Sequence, residues 1–155
     1  MTRVQQVIAK IKADITAKQV IEIACGRAEL SIEASQTASS VHCIDLDSFR
    51  LDKRIHECSN VVFEQMDAAA LKYDSETFDT AVIYNALAHL GTVMEAVISE
   101  ALRVVKTGGN VWIISSVSMD KFVMEEKLFP YLSSSGLEHE VSTDKVFTYV
   151  RIVKH

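Results

Sequence analysis

The sequence predicts an α/β fold of three layers, in which a mostly parallel sheet of seven strands lies between two layers of helices. Three observations predict it. Short β-branched segments alternate with amphipathic helices, and small residues occupy the turn after the first strand. Only residues 142–145 separate the last two strands, too few for a parallel crossover, so these strands form an antiparallel hairpin at the C-terminal end.

Runs of β-branched and other apolar residues mark the strands. Val20, Ile21 and Ile23, for example, run directly into a turn at Cys25 and Gly26, as a buried parallel strand does. The predicted strands cover residues 20–24, 41–46, 61–65, 78–84, 111–114, 137–141 and 146–153.

Apolar residues at helical spacing mark the helices. Thr92 with Glu95 three residues later predicts a capping box at the start of the longest internal helix, and Gly108-Gly109 predicts its end. The other predicted helices are an amphipathic opening helix from Val4 to Ile15, residues 28–37, a short polar helix over 48–57, and residues 119–132 with Pro130 near the end.

Composition and charge exclude several classes of protein. The 155 residues suit one domain, so we expect a single domain over residues 1–155. A net charge of -5 without a Lys/Arg cluster argues against nucleic acid or an anionic membrane as a partner. No segment resembles a signal peptide or a membrane span, so we expect a cytoplasmic protein.

The cysteines do not predict a metal site. Cys25, Cys43 and Cys58 are odd in number and widely spaced, unlike the paired spacing of zinc ligands or of a small disulfide framework. His42 adjoins Cys43, but neighbouring residues of one strand point to opposite faces of the sheet. We therefore expect reduced thiols and no bound metal.

Acidic residues follow successive strands of the predicted sheet. Asp45 ends the second strand about 20 positions after Gly26, the offset at which an acidic side chain meets a ribose in nucleotide-binding folds. Asp67 and Ala68 follow the third strand, where a carboxylate beside a free backbone amide matches the donor and acceptor of an adenine edge. The carboxyl ends of parallel strands bind ligands, so we expect these residues to share one site.

Five segments resemble the successive motifs of class I S-adenosylmethionine-dependent methyltransferases, which have a Rossmann-like fold. The Phe78-Asp79 pair before the fourth strand is typical of that family. The sequence Arg103-Val-Val-Lys-Thr-Gly-Gly109 is similar to its Arg-Val-Leu-Lys-Pro-Gly-Gly motif. The segments that carry the resemblance are residues 20–30, 41–47, 65–71, 78–90 and 100–114.

The resemblance implies S-adenosyl-L-methionine as the cofactor and a role for each matched position. Glu22 and the turn at Ala24 and Gly26 would hold the methionine part of the cofactor. Tyr84 and Asn85 would lie near the methionine amino group and the transferable methyl group. His89 is at a position where the family often has a histidine, and His89 and Tyr84 are the candidate catalytic residues. The remaining roles would be Asp45 at the ribose, Leu46 at an adenine face, and Asp67 and Ala68 at the adenine edge.

Three functions are compatible with these residues. The first is methyl transfer to an unidentified small-molecule or protein acceptor. The second is a non-catalytic binding or regulatory module of the same fold, which is favoured by Ala28 in place of the family's third glycine. The third, an NAD-dependent oxidoreductase, is disfavoured because a pyrophosphate would meet repulsion from the acidic strand ends. A homodimer would be one way to cover an open site.

Overall fold

Seven strands form one sheet in the computed structural model, which describes residues 1–155. They are β1 (Gln19–Ile23), β2 (Ser40–Asp45), β3 (Val61–Gln65), β4 (Phe78–Tyr84), β5 (Val105–Ser116), β6 (His139–Thr143) and β7 (Phe147–Val153). They lie in the order β3-β2-β1-β4-β5-β7-β6. The first five strands are parallel, whereas β7 runs antiparallel to both β5 and β6. The predicted sheet and its terminal hairpin are confirmed.

Helices cover both faces of the sheet, which confirms the three predicted layers. Because side chains alternate along a strand, Val20 and Val82 pack with one helical layer while Ile21 and Ile83 pack with the other. No helix combines the length and the apolar composition that a membrane crossing requires. One layer contains α1 (Arg3–Ile15) and α2 (Glu29–Ala34), and the other contains α3 (Leu87–Leu90), α4 (Met94–Val104), α5 (Val117–Val123) and α6 (Phe129–Ser135).

Asp14 fixes the end of α1 to the sheet. Its Oδ2 accepts hydrogen bonds from Trp112 Nε1 at 2.8 Å and from Arg151 Nε at 2.9 Å. Its backbone carbonyl accepts a third bond from the Thr80 hydroxyl at 2.6 Å. Three strands are thereby tied to α1 through one residue, since Thr80, Trp112 and Arg151 lie on β4, β5 and β7.

The predicted capping box at Thr92 and Glu95 is wrong. α4 begins at Met94 without a side-chain cap, and a 3₁₀ turn over Gly91–Val93 joins it to α3. An N-cap residue flanks the helix that it caps, but Thr92 lies inside the 3₁₀ turn and Val93 separates it from the first residue of α4.

The prediction that Gly108-Gly109 ends α4 is wrong. The helix ends at Val104, and β5 begins at once, longer than the predicted residues 111–114. A β-carbon on Gly109 would lie 2.4 Å from the backbone oxygen of Asp79. Gly109 is therefore required where β5 approaches β4 closely, beside the register shift between Phe78 and Thr80.

Two further helices differ from the prediction. The predicted polar helix over residues 48–57 is only a 3₁₀ turn at Lys53–Glu57. Asp47 and Asp52 accept hydrogen bonds from the amides two residues later, which favours turns over a helix. The last helix extends from Val117 to Ser135 through a π-helical turn at Met124–Leu128, which lies directly before the segment that contains Pro130.

Candidate functional site

A cavity of about 400 Å³ opens at the carboxyl ends of β1, β2 and β4. Its volume lies within the range of pockets that hold one small-molecule cofactor. Every residue that the sequence analysis assigned to the site lines this cavity: Glu22, Ala24, Gly26, Asp45, Leu46, Asp67, Ala68, Tyr84, Asn85 and His89. Their roles toward a ligand stay predictions, but the structure brings all of them together.

The turn after β1 is built from three residues in the left-handed backbone region. Ala24, Gly26 and Ala28 have φ of 58°, 55° and 62°. Ala28 is fully buried and packs against Ile32 and Cys43. Its methyl group therefore fills a packed cluster beside the turn and does not enter the cavity, although the family has glycine at this position.

Asp45 connects the tip of β2 to that turn. Its Oδ2 accepts a hydrogen bond from the Gly26 amide at 2.8 Å, and the Asp47 amide lies 3.5 Å from its Oδ1. The carboxylate is half-buried and borders the cavity. It therefore shapes the turn and offers a negative charge to a ligand at the same place.

Glu22 is the most buried acidic group of the cavity, with only 1% of its surface exposed. Its Oε1 accepts hydrogen bonds from the Ser31 hydroxyl at 2.7 Å and from the Ser31 amide at 3.2 Å. This amide is in the first turn of α2, whose N-cap Ala28 has no side chain that could accept it. Burial raises the pKa of Glu22 to about 8, and the negative charges of Asp45 and Glu29 contribute to the increase.

Asp67, Ala68 and Leu46 form the side of the cavity beyond β2 and β3. Asp67 accepts the Ala69 amide at 2.9 Å in a tight turn. The Ala68 amide donates no hydrogen bond within the chain, so it is available to a ligand. Leu46 is 69% exposed, which leaves its surface open to a flat ring.

The opposite side of the cavity is formed at the end of β4 by Tyr84 and beyond it by Asn85 and His89. Asn85 has φ of 49°, and its Oδ1 accepts the Ser116 amide at 2.9 Å, which ties the tips of β4 and β5 together. The Tyr84 ring packs against Phe147. Burial, with Glu22 and Glu29 nearby, raises the pKa of the Tyr84 hydroxyl, so the phenol stays protonated near neutral pH.

His89 has no partner that would orient its ring. It lies in the one-turn helix α3, is exposed, and forms no side-chain hydrogen bond. A histidine that acts as general base is usually held by a second group. The position beside the cavity agrees with the prediction, whereas the geometry supplies no orienting group for a base.

Two kinds of lining residue escaped the sequence analysis. Arg27 and Arg50 bring positive charge to the rim, and the apolar side chains of Leu90, Val93 and Val97 form a wall beside His89. The valines carried a signal, because both belong to the apolar pattern that predicted this helix, although Val93 lies just before α4 in the structure. The position of Arg50 depends on the path of an irregular loop, which residue types alone do not predict.

Comparison with known proteins identifies the family of the chain. A family model described as "Methyltransferase domain" matches residues 20–109, more than half of the chain, from β1 to the Gly-Gly pair. No curated protein matches the sequence significantly.

Solved structures share the fold at low sequence identity. A SAM-dependent methyltransferase from Aquifex aeolicus superposes with a TM-score of 0.81 at 14% identity, over 97% of this chain and 88% of that one. Another SAM-dependent methyltransferase, from Methanosarcina mazei, has a TM-score of 0.74 at 15% identity, over 94% of this chain and 97% of that one. The [4+2]-cyclase SpnF has a TM-score of 0.77 at 16% identity, over 98% of this chain and 80% of that one. These likenesses show the fold, and the family match shows that the chain belongs to the methyltransferase domain family.

Proposed function

We propose that this protein transfers a methyl group from S-adenosyl-L-methionine to an acceptor bound at the mouth of the cavity. The observation that carries the proposal is the convergence of Glu22, Asp45 and Asp67 around one open cavity. S-Adenosylmethionine carries a sulfonium and an ammonium and has no phosphate. An acidic cavity therefore suits it better than it suits a nicotinamide dinucleotide, whose pyrophosphate is negatively charged.

The lining residues fit the parts of that cofactor from one end of the cavity to the other. Asp67 and the free amide of Ala68 match the amino group and the ring nitrogen of adenine, and the exposed face of Leu46 supports the ring. Asp45 matches the ribose hydroxyls. Glu22, at the end nearest β4, is the acidic partner for the methionine ammonium.

Alignment and exclusion of water account for the chemistry that these residues support. When bound, S-adenosylmethionine would supply an electrophilic methyl group. A nucleophile of the acceptor would attack the methyl carbon in line with the carbon–sulfur bond, and sulfur would leave as a neutral thioether. Tyr84 stays protonated near neutral pH, so its hydroxyl would be available to donate a hydrogen bond beside the reacting atoms. His89 is the candidate to take a proton from the acceptor where one must be lost, and the acceptor itself would then orient the exposed ring.

The acceptor approaches the cavity from solvent. Val93 is 43% exposed at the rim, and His89 is exposed beside it. A small molecule or a protein side chain could reach this rim. Both small molecules and proteins are therefore candidate acceptors. A second copy of the chain, in a homodimer, is a candidate to cover the open side of the cavity.

A non-catalytic module is the second candidate. The side chains of Tyr84 and His89 form no hydrogen bond with other residues of the chain. This observation favours the module, because no candidate catalytic group is held in place. Ala28, the departure that pointed the same way in the sequence, no longer supports this candidate because its methyl group lies outside the cavity.

Ligand binding and turnover separate these candidates. We expect S-adenosylmethionine and its demethylated product to raise the melting temperature, and NAD to leave it unchanged. Methyl transfer to a panel of small-molecule and peptide acceptors then identifies an enzyme. Stabilisation without transfer to any acceptor class would favour the module.

Asp45→Ala tests the site itself. We expect the dissociation constant for S-adenosylmethionine to rise more than tenfold, about 1.4 kcal/mol or more. Asp47→Ala is the matched control, because Asp47 is an exposed carboxylate two residues away that does not line the cavity. Equal affinities of the Asp45→Ala variant and the wild type would remove Asp45 from the site.

A further inference from the structure

Arg50 is the one arginine of the cavity lining whose charge has no partner in the chain. The other, Arg27, donates to Glu29 at 2.9 Å and lies 3.8 Å from Asp52. Arg50 forms neither a hydrogen bond nor an ion pair, although four carboxylates line the same cavity: Glu22, Glu29, Asp45 and Asp67. An uncommitted guanidinium beside a ligand cavity is available to an anionic group of the ligand.

The guanidinium of Arg50 lies flat against the turn after β1. A β-carbon on Gly26 would lie 3.6 Å from both Cζ and Nη1 of Arg50 and 3.7 Å from Nη2. The guanidinium therefore rests over the backbone of this turn, in ordinary contact range of the position that a β-carbon at Gly26 would take, at the border of the cavity. Arg50 itself is exposed and belongs to the irregular segment between β2 and the 3₁₀ turn at Lys53–Glu57, so few contacts hold it there.

Charge balance indicates which part of the cofactor this residue takes. S-Adenosylmethionine has a single anionic group, the carboxylate of its methionine part. In a cavity lined by Asp45 and Asp67, that carboxylate meets repulsion unless a cation compensates it. A guanidinium pairs with a carboxylate through two parallel N–H···O bonds, which gives geometric selectivity as well as attraction.

We propose that Arg50 pairs with the methionine carboxylate of S-adenosylmethionine and thereby makes the site selective for the intact amino-acid cofactor over decarboxylated S-adenosylmethionine. This inference rests on the proposed function, because it assigns one group of the proposed cofactor. It names Arg50 as a residue that determines specificity, with no part in proton transfer.

Arg50→Ala should change the dissociation constants of S-adenosylmethionine and of its decarboxylated form differently. Arg50→Ala should raise the dissociation constant for S-adenosylmethionine about tenfold, because a charged carboxylate loses its partner. For decarboxylated S-adenosylmethionine, which is cationic and has no carboxylate, the dissociation constant should stay the same or fall, since removal of Arg50 removes a repulsion. Arg50→Lys should recover part of the loss, because a lysine keeps the charge but not the paired geometry.

Arg54→Ala is the matched control. Arg54 lies in the same region and carries the same charge, but it pairs with Asp52 and does not line the cavity. We expect its removal to leave both dissociation constants within about twofold of wild type. A similar change in Arg54→Ala and Arg50→Ala would show a general charge effect and overturn the assignment.

Other outcomes are equally decisive. Equal weakening of both ligands by Arg50→Ala would indicate a disturbed loop, and no change for S-adenosylmethionine would show that its carboxylate binds elsewhere. Either result overturns the proposal for Arg50 and leaves the proposed function intact. Failure of wild-type protein to bind S-adenosylmethionine would instead contradict the proposed function itself.

Discussion

Asp14 and Glu22 are two acidic residues that the fold treats in opposite ways. Asp14, at the end of α1, accepts hydrogen bonds from Trp112 and from the guanidinium of Arg151. Glu22, in β1, is more deeply buried and accepts bonds only from the neutral amide and hydroxyl of Ser31. The first carboxylate has its cation inside the chain, whereas the second has none.

This difference separates a structural acid from a candidate ligand-binding acid. A buried carboxylate without a cation favours its neutral form, which is why the pKa of Glu22 is raised to about 8. A cationic ligand in the cavity would supply the charge that the chain itself does not. Perturbed acids of this kind are concentrated at functional sites, and Glu22 lies at one end of the cavity proposed for the cofactor.

The largest effect that we expect is stabilisation by Glu22→Gln. Between the ordinary pKa of 4.5 and about 8, the folded protein holds a proton that the unfolded chain has lost. The stability that neutral Glu22 contributes is therefore fully present below pH 4.5 and is lost as pH rises toward 8. Glutamine stays neutral throughout, so the variant should gain roughly 3 kcal/mol in free energy of unfolding near pH 7.

Denaturant titrations at pH 5 and pH 7.5 measure this effect. The gain should be small at the lower pH and large at the higher one, because only the ionised carboxyl is penalised by burial. A variant that is less stable than wild type at both pH values would show that Glu22 is stabilised as an anion, which contradicts the contrast with Asp14.

The next largest effect has the opposite sign. Asp14→Ala should lower the free energy of unfolding by roughly 2 kcal/mol, because Arg151 and Trp112 lose a charged acceptor. Asp47→Ala, which removes an exposed carboxylate, should change it by less than about 0.5 kcal/mol. If Asp14→Ala changed the free energy of unfolding as little as this control does, the hydrogen bonds of Asp14 would contribute little to stability. That result would contradict the structural role assigned to Asp14.

The sequence allowed the sheet and the cavity to be predicted because both follow from short-range rules. Strands alternate with helices, and parallel strands place their carboxyl ends at one edge, so Asp45 and Asp67 had to come together. The Thr92 capping box failed because Thr92 lies inside the 3₁₀ turn at Gly91–Val93, which joins α3 to α4. Arg50 was missed because its position depends on a loop that packs against Gly26.

Proton release on cofactor binding tests the central claim most directly. S-Adenosylmethionine would be titrated into the protein by calorimetry at pH 7, in two buffers of different ionisation enthalpy. We expect binding to release about one proton, because a cation at Glu22 favours the ionised carboxylate, and we expect Glu22→Gln to bind more weakly without that release. Absence of binding by the wild type, or equal proton release by both proteins, would contradict the account.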